Sequence, residues 1–191
     1  DVGVARAQHA VYEAALRAAG CTVQHVEPAP DLPDAVFVED TAVVFDEMAV
    51  VTRPGAESRR GELPTVERAL APYRPLAHIV APGTLDGGDV LVVGRHVFVG
   101  RSSRSNDAGT AQLAAMLQPF GYTVTPVSIH ECLHLKSAVT ALSDTTLLIN
   151  PAWTAVESFR AFDLVDVDPL EPFAANVLRV GDALVYPAEF P

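Results

Sequence analysis

The chain has 191 residues, of which 49% are hydrophobic and 19% charged, with a formal net charge of -11. This length and apolar content suit one sizeable core, and with no low-complexity tract or long block of one charge sign the composition argues against disorder. The acidic balance argues against nucleic acid and anionic membranes as partners, and no apolar run is long enough to span a bilayer.

In chain order, Asp1 to Gly20 reads as a helix, with Val4, Val11, Ala15 and Ala18 on one stripe and Gly20 as its stop. Thr22 to Val26 reads as a strand. Thr41–Phe45 and Met48–Thr52 form a hairpin over Asp46-Glu47, followed by a helix over Leu63–Leu70 and a strand over Leu76–Val80. The order recurs: a hairpin of Asp89–Val93 and His96–Gly100 over Gly94-Arg95, a helix from Asn106 to Phe120 closed by Gly121, and a strand from Tyr122 to Val127. A third pass gives a hairpin of His134–Leu142 and Thr145–Ile149, a short helix over Ala155–Ala161 and a strand over Phe162–Val167. A fourth hairpin, Asn176–Val180 with Ala183–Tyr186, turns at Gly181-Asp182.

The repeating unit is therefore hairpin, helix, strand, with a period of about 45 residues. A helix–strand half unit, three whole units and a hairpin half unit fit the chain. Such units close into a ring around a central channel. The expected fold is α/β, an incomplete ring forming a single domain over residues 1–191. It begins on Asp1 rather than Met and is expected to lack half a unit at each end.

Four groups of residues carry chemistry. Glu39 and Asp40 lie between apolar Phe37-Val38 and Ala42-Val43-Val44, where carboxylates are costly unless they meet a cation or a hydrogen-bond donor. A guanidinium is one such partner; solvated acids at a strand start are the plain alternative. Asp86-Gly87-Gly88-Asp89 can place one acid inward and the other at the hairpin start, or be an ordinary Asp-Gly turn. Arg53, Arg59, Arg60, Arg101 and Arg104 follow strands, where an arginine either clamps a carboxylate or is simply solvated. His134 has the side chain best suited to proton transfer near neutral pH, and strand alternation would put Cys132, His134 and Lys136 on one face. The six histidines are scattered, no cysteine pair completes a zinc site, and no glycine-rich phosphate loop or Gly-x-Ser-x-Gly elbow occurs, so neither metal nor cofactor is expected. Two cysteines are too few for a disulfide framework, so a reducing, cytoplasmic setting is the expectation.

Taken in order, Phe37-Val38-Glu39-Asp40-Thr41-Ala42, Thr52-Arg53-Pro54-Gly55-Ala56, Ser58-Arg59-Arg60-Gly61-Glu62, Ala81-Pro82-Gly83-Thr84, Ser102 to Asn106 and Leu133-His134-Leu135-Lys136 resemble the dimethylarginine dimethylaminohydrolases of the pentein superfamily. The resemblance spans nearly the whole chain. It implies a five-bladed pseudo-symmetric α/β propeller and a hydrolase that releases citrulline and dimethylamine or methylamine from N-omega-methylated arginine through a cysteine thiouronium intermediate. It implies His134 as general acid/base and Asp86 as the acid that orients it, although the family often has Glu at that position. Asp34, Glu39 and Asp40 would bind the guanidinium, and Arg59 and Arg104 would clamp the α-carboxylate. The family's nucleophile lies beyond Pro191, so this chain alone is expected to be inactive. Cys132 is a poor substitute, because two residues along a strand span roughly 6.5–7 Å on the histidine's own side of the site. The resemblance leaves open arginine or agmatine deiminase activity, a non-catalytic binding module, and a homodimer.

Overall fold

The computed structural model describes residues 1–188 and contains four small sheets built on one plan. In the first, β1 (Ala42–Val44) pairs antiparallel with β2 (Ala49–Val51), the chain passes through helix α2 (Leu63–Leu70), and β3 (Leu76–His78) lies parallel to β2. The second repeats this with β4 (Val90–Val93), β5 (His96–Arg101), helix α3 (Asp107–Leu117) and β6 (Thr123–Ser128). In the third, β7 (Val139–Ala141) and β8 (Thr146–Ile149) are followed by β9 (Asp163–Asp166). The fourth is the hairpin β10 (Leu178–Val180) and β11 (Ala183–Val185). The long N-terminal helix, α1, spans Val2–Ala18 and is capped by the Asp1 carboxylate, which accepts from the Gly3 and Val4 amides. The repeat read from the sequence is thus a set of sheet-and-helix blades, and their innermost strands β1, β4, β7 and β10 border a central cavity of about 1500 Å³.

Period-two alternation explains how one strand serves two cores. On β5, Val97 and Val99 point into a core shared with Val43, Val50 and Leu113, whereas Phe98 points into the next core with Leu135, Leu147 and Phe159. On β4, Val90 joins the first core, and Leu91 and Val93 join the second. Both faces of the middle blade are buried between neighbours, so its strands read as continuous apolar runs rather than as alternating ones.

Three predicted elements differ. Residues 22–26 form no strand: among the described residues no other segment pairs with them, and unpaired backbone donors and acceptors have no reason to stay extended. The helix expected over 155–161 is only a single 3₁₀ turn, Val156–Phe159, because so short a segment does not repay helix nucleation. Residues 134–138 do not continue β7. Glu131 takes a positive φ of 54° and Leu135–Ser137 form a 3₁₀ turn, so Cys132, His134 and Lys136 are not alternate residues of one strand. The side chains of neighbouring blades, and not a sheet ladder, hold this segment.

Candidate active site

The blades deliver their functional side chains from irregular turns at the strand starts. The 3₁₀ turn Val38–Thr41 presents Asp40, only 7% exposed, and the Thr52 hydroxyl anchors that turn by donating to the Asp40 carbonyl at 2.7 Å. Asp40 accepts from the Gly88 amide (Oδ1, 2.9 Å) and from Arg59 Nη1 (Oδ2, 2.6 Å). Arg59 is itself buried. Its Nε and Nη2 donate to Glu62, and Nη2 also reaches the carbonyls of Asp34 and Phe37. Burial alone would weaken the guanidinium charge, but Glu62 and Asp40 more than offset it, so Arg59 is held firmly charged.

Arg59 was expected to stand beside Arg104 as a clamp for the α-carboxylate. The structure instead engages every nitrogen of Arg59 with the protein, as a brace between Asp40, Glu62 and the segment preceding Asp40. Arg104, in the loop after β5, is half-buried, and its guanidinium makes no hydrogen bond or ion pair among the described residues. Its backbone lies so close to Gly55 that a Cβ there would sit 2.4 Å from the Arg104 carbonyl oxygen. Gly55 in turn donates to Asp86 Oδ1 at 2.9 Å, which ties the Arg104 loop to the central acids.

Asp86 and Asp89, both with 0% exposure, flank the turn Gly87–Gly88, so both acids point inward rather than one in and one out. Close approach is the reason for glycine here: a Cβ on Gly88 would lie 2.7 Å from Asp40 Oδ1 and 2.8 Å from the His134 ring. Asp89 Oδ2 accepts from the Ser102 and Ser105 hydroxyls, each at 2.6 Å, and Oδ1 accepts from the Leu135 amide at 3.1 Å.

His134 sits between these acids, with Nε2 3.7 Å from Asp40 Oδ1 and Nδ1 3.5 Å from Asp89 Oδ1. At 3.5 Å the Nδ1 contact is an ionic approach rather than a formed hydrogen bond, and Nδ1 has no hydrogen-bond partner. Burial works against the imidazolium, but the interaction with Asp89 and the charges of Asp89, Asp40 and Asp86 outweigh it, so the His134 pKa lies above its ordinary value.

The resemblance makes Asp86 the partner of His134. In the structure Asp86 comes within 4.8 Å of His134 and Asp40 but forms no ion pair with the imidazole, and its Oδ2 is buried without a hydrogen bond. An Asp side chain is one methylene shorter than Glu, and Gly55 already holds its other oxygen. Burial first, and then repulsion from Asp40 and Asp89, raises the Asp86 pKa. A carboxyl whose pKa is raised in the folded state adds stability at low pH that disappears as pH rises through that pKa. Asp86→Asn should therefore raise the free energy of urea unfolding at about pH 7 by about 1 kcal/mol, the low end of the cost of an unsatisfied buried group, and the midpoint with it. The gain should fade towards about pH 4, where the carboxyl becomes neutral. Equal midpoint shifts at both pH values would overturn this account.

The remaining candidates lie at the rim. The Asp34 side chain is exposed in the turn whose carbonyl Arg59 holds, and the exposed Glu39 pairs with Lys136 Nζ at 2.6 Å. Sequence reasoning gave Glu62, Asp89 and Lys136 no role in the site, although Asp89 and Lys136 stood in segments it singled out. Glu62 was signalled by its place three residues after Arg59, Asp89 by the Asp-Gly-Gly-Asp turn and Lys136 by its spacing from His134, but none of these signals gave a partner. Asp40, Asp86 and His134 form the one grouping among the described residues spaced closely enough for an ion. Asp40 and Asp86 already accept from Arg59, Gly88 and Gly55, and a planar cation with its own N–H donors suits the lone pairs that remain. Cys132 is poorly suited to nucleophilic attack: burial, followed by the Asp89 charge, pushes its thiol up to about 11, which disfavours the thiolate at neutral pH.

No family model matches the chain. Over its full length it is 47% identical to the N(G),N(G)-dimethylarginine dimethylaminohydrolase of Streptomyces coelicolor, of which it covers 74%. It is 34% identical to the same enzyme of Pseudomonas aeruginosa, of which it covers 76%. The chain belongs to the dimethylarginine dimethylaminohydrolase family. A crystal structure of a dimethylarginine dimethylaminohydrolase adduct with S-methyl-L-thiocitrulline superposes on the whole chain with a TM-score of 0.95 at 34% identity, covering 76% of that structure. A cysteine-to-serine mutant of the P. aeruginosa enzyme complexed with citrulline gives 0.93. An amidinotransferase from Microseira wollei, only 17% identical, superposes with a TM-score of 0.83, which extends the shared fold to other amidine chemistry. The fold is thus the bladed α/β propeller of this superfamily, and among the described residues no helix is long and apolar enough to cross a membrane.

Proposed function

We propose that this chain carries the guanidinium-binding and proton-transfer part of an enzyme that hydrolyses N-omega-methylated arginine to citrulline and methylamine or dimethylamine, within a single catalytic domain over residues 1–191. The observation that carries the reading is His134 held between Asp40 and Asp89 in a nearly closed cluster of acids. Together with Asp86, these acids favour a cationic ligand directly beside a proton-transfer group. Family membership supports the same chemistry, since the relatives carry that name and one is complexed with citrulline.

In this reading Asp40 grips the guanidinium, with Glu39 and Asp34 at the rim, and Arg104 holds the α-carboxylate. Arg59 contributes mainly by fixing Asp40. A thiolate from a cysteine other than Cys21 or Cys132 attacks the guanidinium carbon. His134 gives its proton to the departing amine, leaving a thiouronium adduct. Water then attacks the same carbon, His134 takes a proton back, and the thiolate leaves as citrulline forms. Asp86, within 4.8 Å of His134, is the acid that orients the imidazole in this reading. A cytoplasmic setting suits the two free thiols, and a homodimer is the assembly to look for by sedimentation.

The test is turnover by the full-length enzyme. Dimethylamine and citrulline should appear in equal amounts from asymmetric dimethylarginine, with a higher kcat/KM than for ammonia release from arginine or agmatine. The reverse order would make the protein a deiminase. Tight binding of methylarginine with no product would make it a binding module.

A further inference from the structure

We propose that Gly55 is a positioning residue for substrate recognition: its lack of a side chain lets the loop after β2 dock against the Arg104 backbone, and that contact aims the Arg104 guanidinium at the substrate α-carboxylate. The purpose rests on the functional reading above, in which Arg104 holds that carboxylate; the packing does not.

Backbone angles do not demand glycine here, because the φ of Gly55 lies outside the left-handed region. Space does. A Cβ on Gly55 would lie 2.5 Å from the Arg104 Cα and 2.8 Å from the Arg104 carbonyl carbon. Both are well inside the roughly 3.5–4.0 Å of ordinary carbon–carbon contact. The nearest atoms are all backbone of Arg104, so no side-chain rotation relieves the clash.

One of the two loops must therefore give way when a side chain is added, and their anchoring decides which. The Gly55 side is tied at each residue. Arg53 forms a bridge with Leu85, whose amide donates to the Arg53 carbonyl at 2.9 Å. Arg60 Nε donates to the Pro54 carbonyl at 3.3 Å. The Gly55 amide donates at 2.9 Å to Oδ1 of the fully buried Asp86. The Arg104 side is held more lightly. Ser102 Oγ accepts from the Arg104 and Ser105 amides at 2.9 and 3.1 Å, in a turn whose tip, Ser103, is exposed. Ser105 is anchored beyond it, accepting from the Asp86 amide and donating to Asp89. Arg104 thus stands between a fixed Ser105 and an exposed Ser103, and a Cβ on Gly55 displaces it outward.

The guanidinium moves with the backbone that carries it, and a misplacement of about 1 Å can cost about 10²-fold. Asp40 and His134 take their contacts from other segments. The loss therefore falls on binding of the carboxylate, which appears in KM with kcat kept.

The test uses the full-length enzyme with asymmetric dimethylarginine and with dimethylagmatine, the same guanidine without the α-carboxylate. Gly55→Ala should raise KM for dimethylarginine by about 10–100-fold, what a hydrogen bond to a charged group contributes, with kcat changed by less than about threefold. The kcat/KM for dimethylagmatine, however low in the parent, should change by less than about threefold. Equal losses on the two substrates, or a loss confined to kcat, would overturn the proposal, since Gly55 would then act through Asp86 or the fold. So would unchanged constants on both. A second measurement needs no variant to fold. In the parent labelled with nitrogen-15 glycine, citrulline and carbamoylputrescine, which is citrulline without its carboxylate, are each added until the signal of Gly88, beside Asp40, has moved fully. The Gly55 amide signal should shift with citrulline and stay in place with carbamoylputrescine. A Gly55 signal that moves equally with both, or with neither, sinks the idea. If the carboxylate dependence holds but arginine is turned over faster than dimethylarginine, the positioning role stands and the substrate assignment fails.

Discussion

His134→Ala should abolish turnover of methylated arginine, with kcat falling by at least about 10²–10⁴-fold. The imidazole is the one side chain in the cluster that can both give and take a proton near neutral pH, since Arg59 is locked in charge and the surrounding groups are acids. Both covalent steps need it, so no second group restores either half. The same variant should show a distinctive stability profile. The His134 pKa is raised in the folded state, so its contribution is fully present below the unfolded value, near about 6.5. It disappears as pH rises through the folded pKa. His134→Ala should therefore lose stability at mildly acidic pH, and the loss should shrink at mildly alkaline pH. Thermal melts across that range, paired with product assays, check both halves. Retained turnover would remove His134 from the chemistry, and a pH-independent stability loss would remove the charge argument.

Asp40→Ala should cost more in folding than any other substitution in the cluster, about 3–5 kcal/mol, the usual result of stripping one partner from a buried ion pair. Asp40 and Arg59 are both nearly enclosed, and their contact is a short charge-assisted hydrogen bond of 2.6 Å. Its loss leaves Glu62 as the guanidinium's one carboxylate partner among the described residues, and the Gly88 amide loses its acceptor. For a domain of this size the change lowers the melting temperature by about 6–20 °C. Substrate affinity should fall as well, because Asp40 is also the proposed ligand for the substrate cation. Asp40→Asn keeps the shape and should recover part of the stability but not the affinity, which separates the two roles. A stability loss below about 1 kcal/mol for Asp40→Ala would mean that the ion pair is far more hydrated than its burial implies.

Much of the blade order was legible because each blade carries its own local code. Paired β-rich runs, turn residues such as Gly94 and Gly181, and the amphipathic stretch before β3 act over only a few residues. The elements that went wrong depend on distant partners. Residues 22–26 have strand-like composition but pair with no strand among the described residues, and residues 134–138 looked like a strand but are held by Asp89 from the neighbouring blade.

For the site, the sequence by itself determined the inventory: a histidine suited to proton transfer, acids placed where acids are costly, and arginines just after strands. It also determined the spacing that makes glycine necessary between Asp86 and Asp89. Only the tertiary structure decided the partnerships. Asp40 and Arg59 meet across 19 positions of chain, Asp89 and Leu135 across 46, and Glu39 and Lys136 across 97. The physical reason is that the energy of a buried charge depends on what surrounds it in three dimensions. Asp86, Asp89 and Asp40 converge on His134 from other blades, and no local pattern records which of them meets which ring nitrogen.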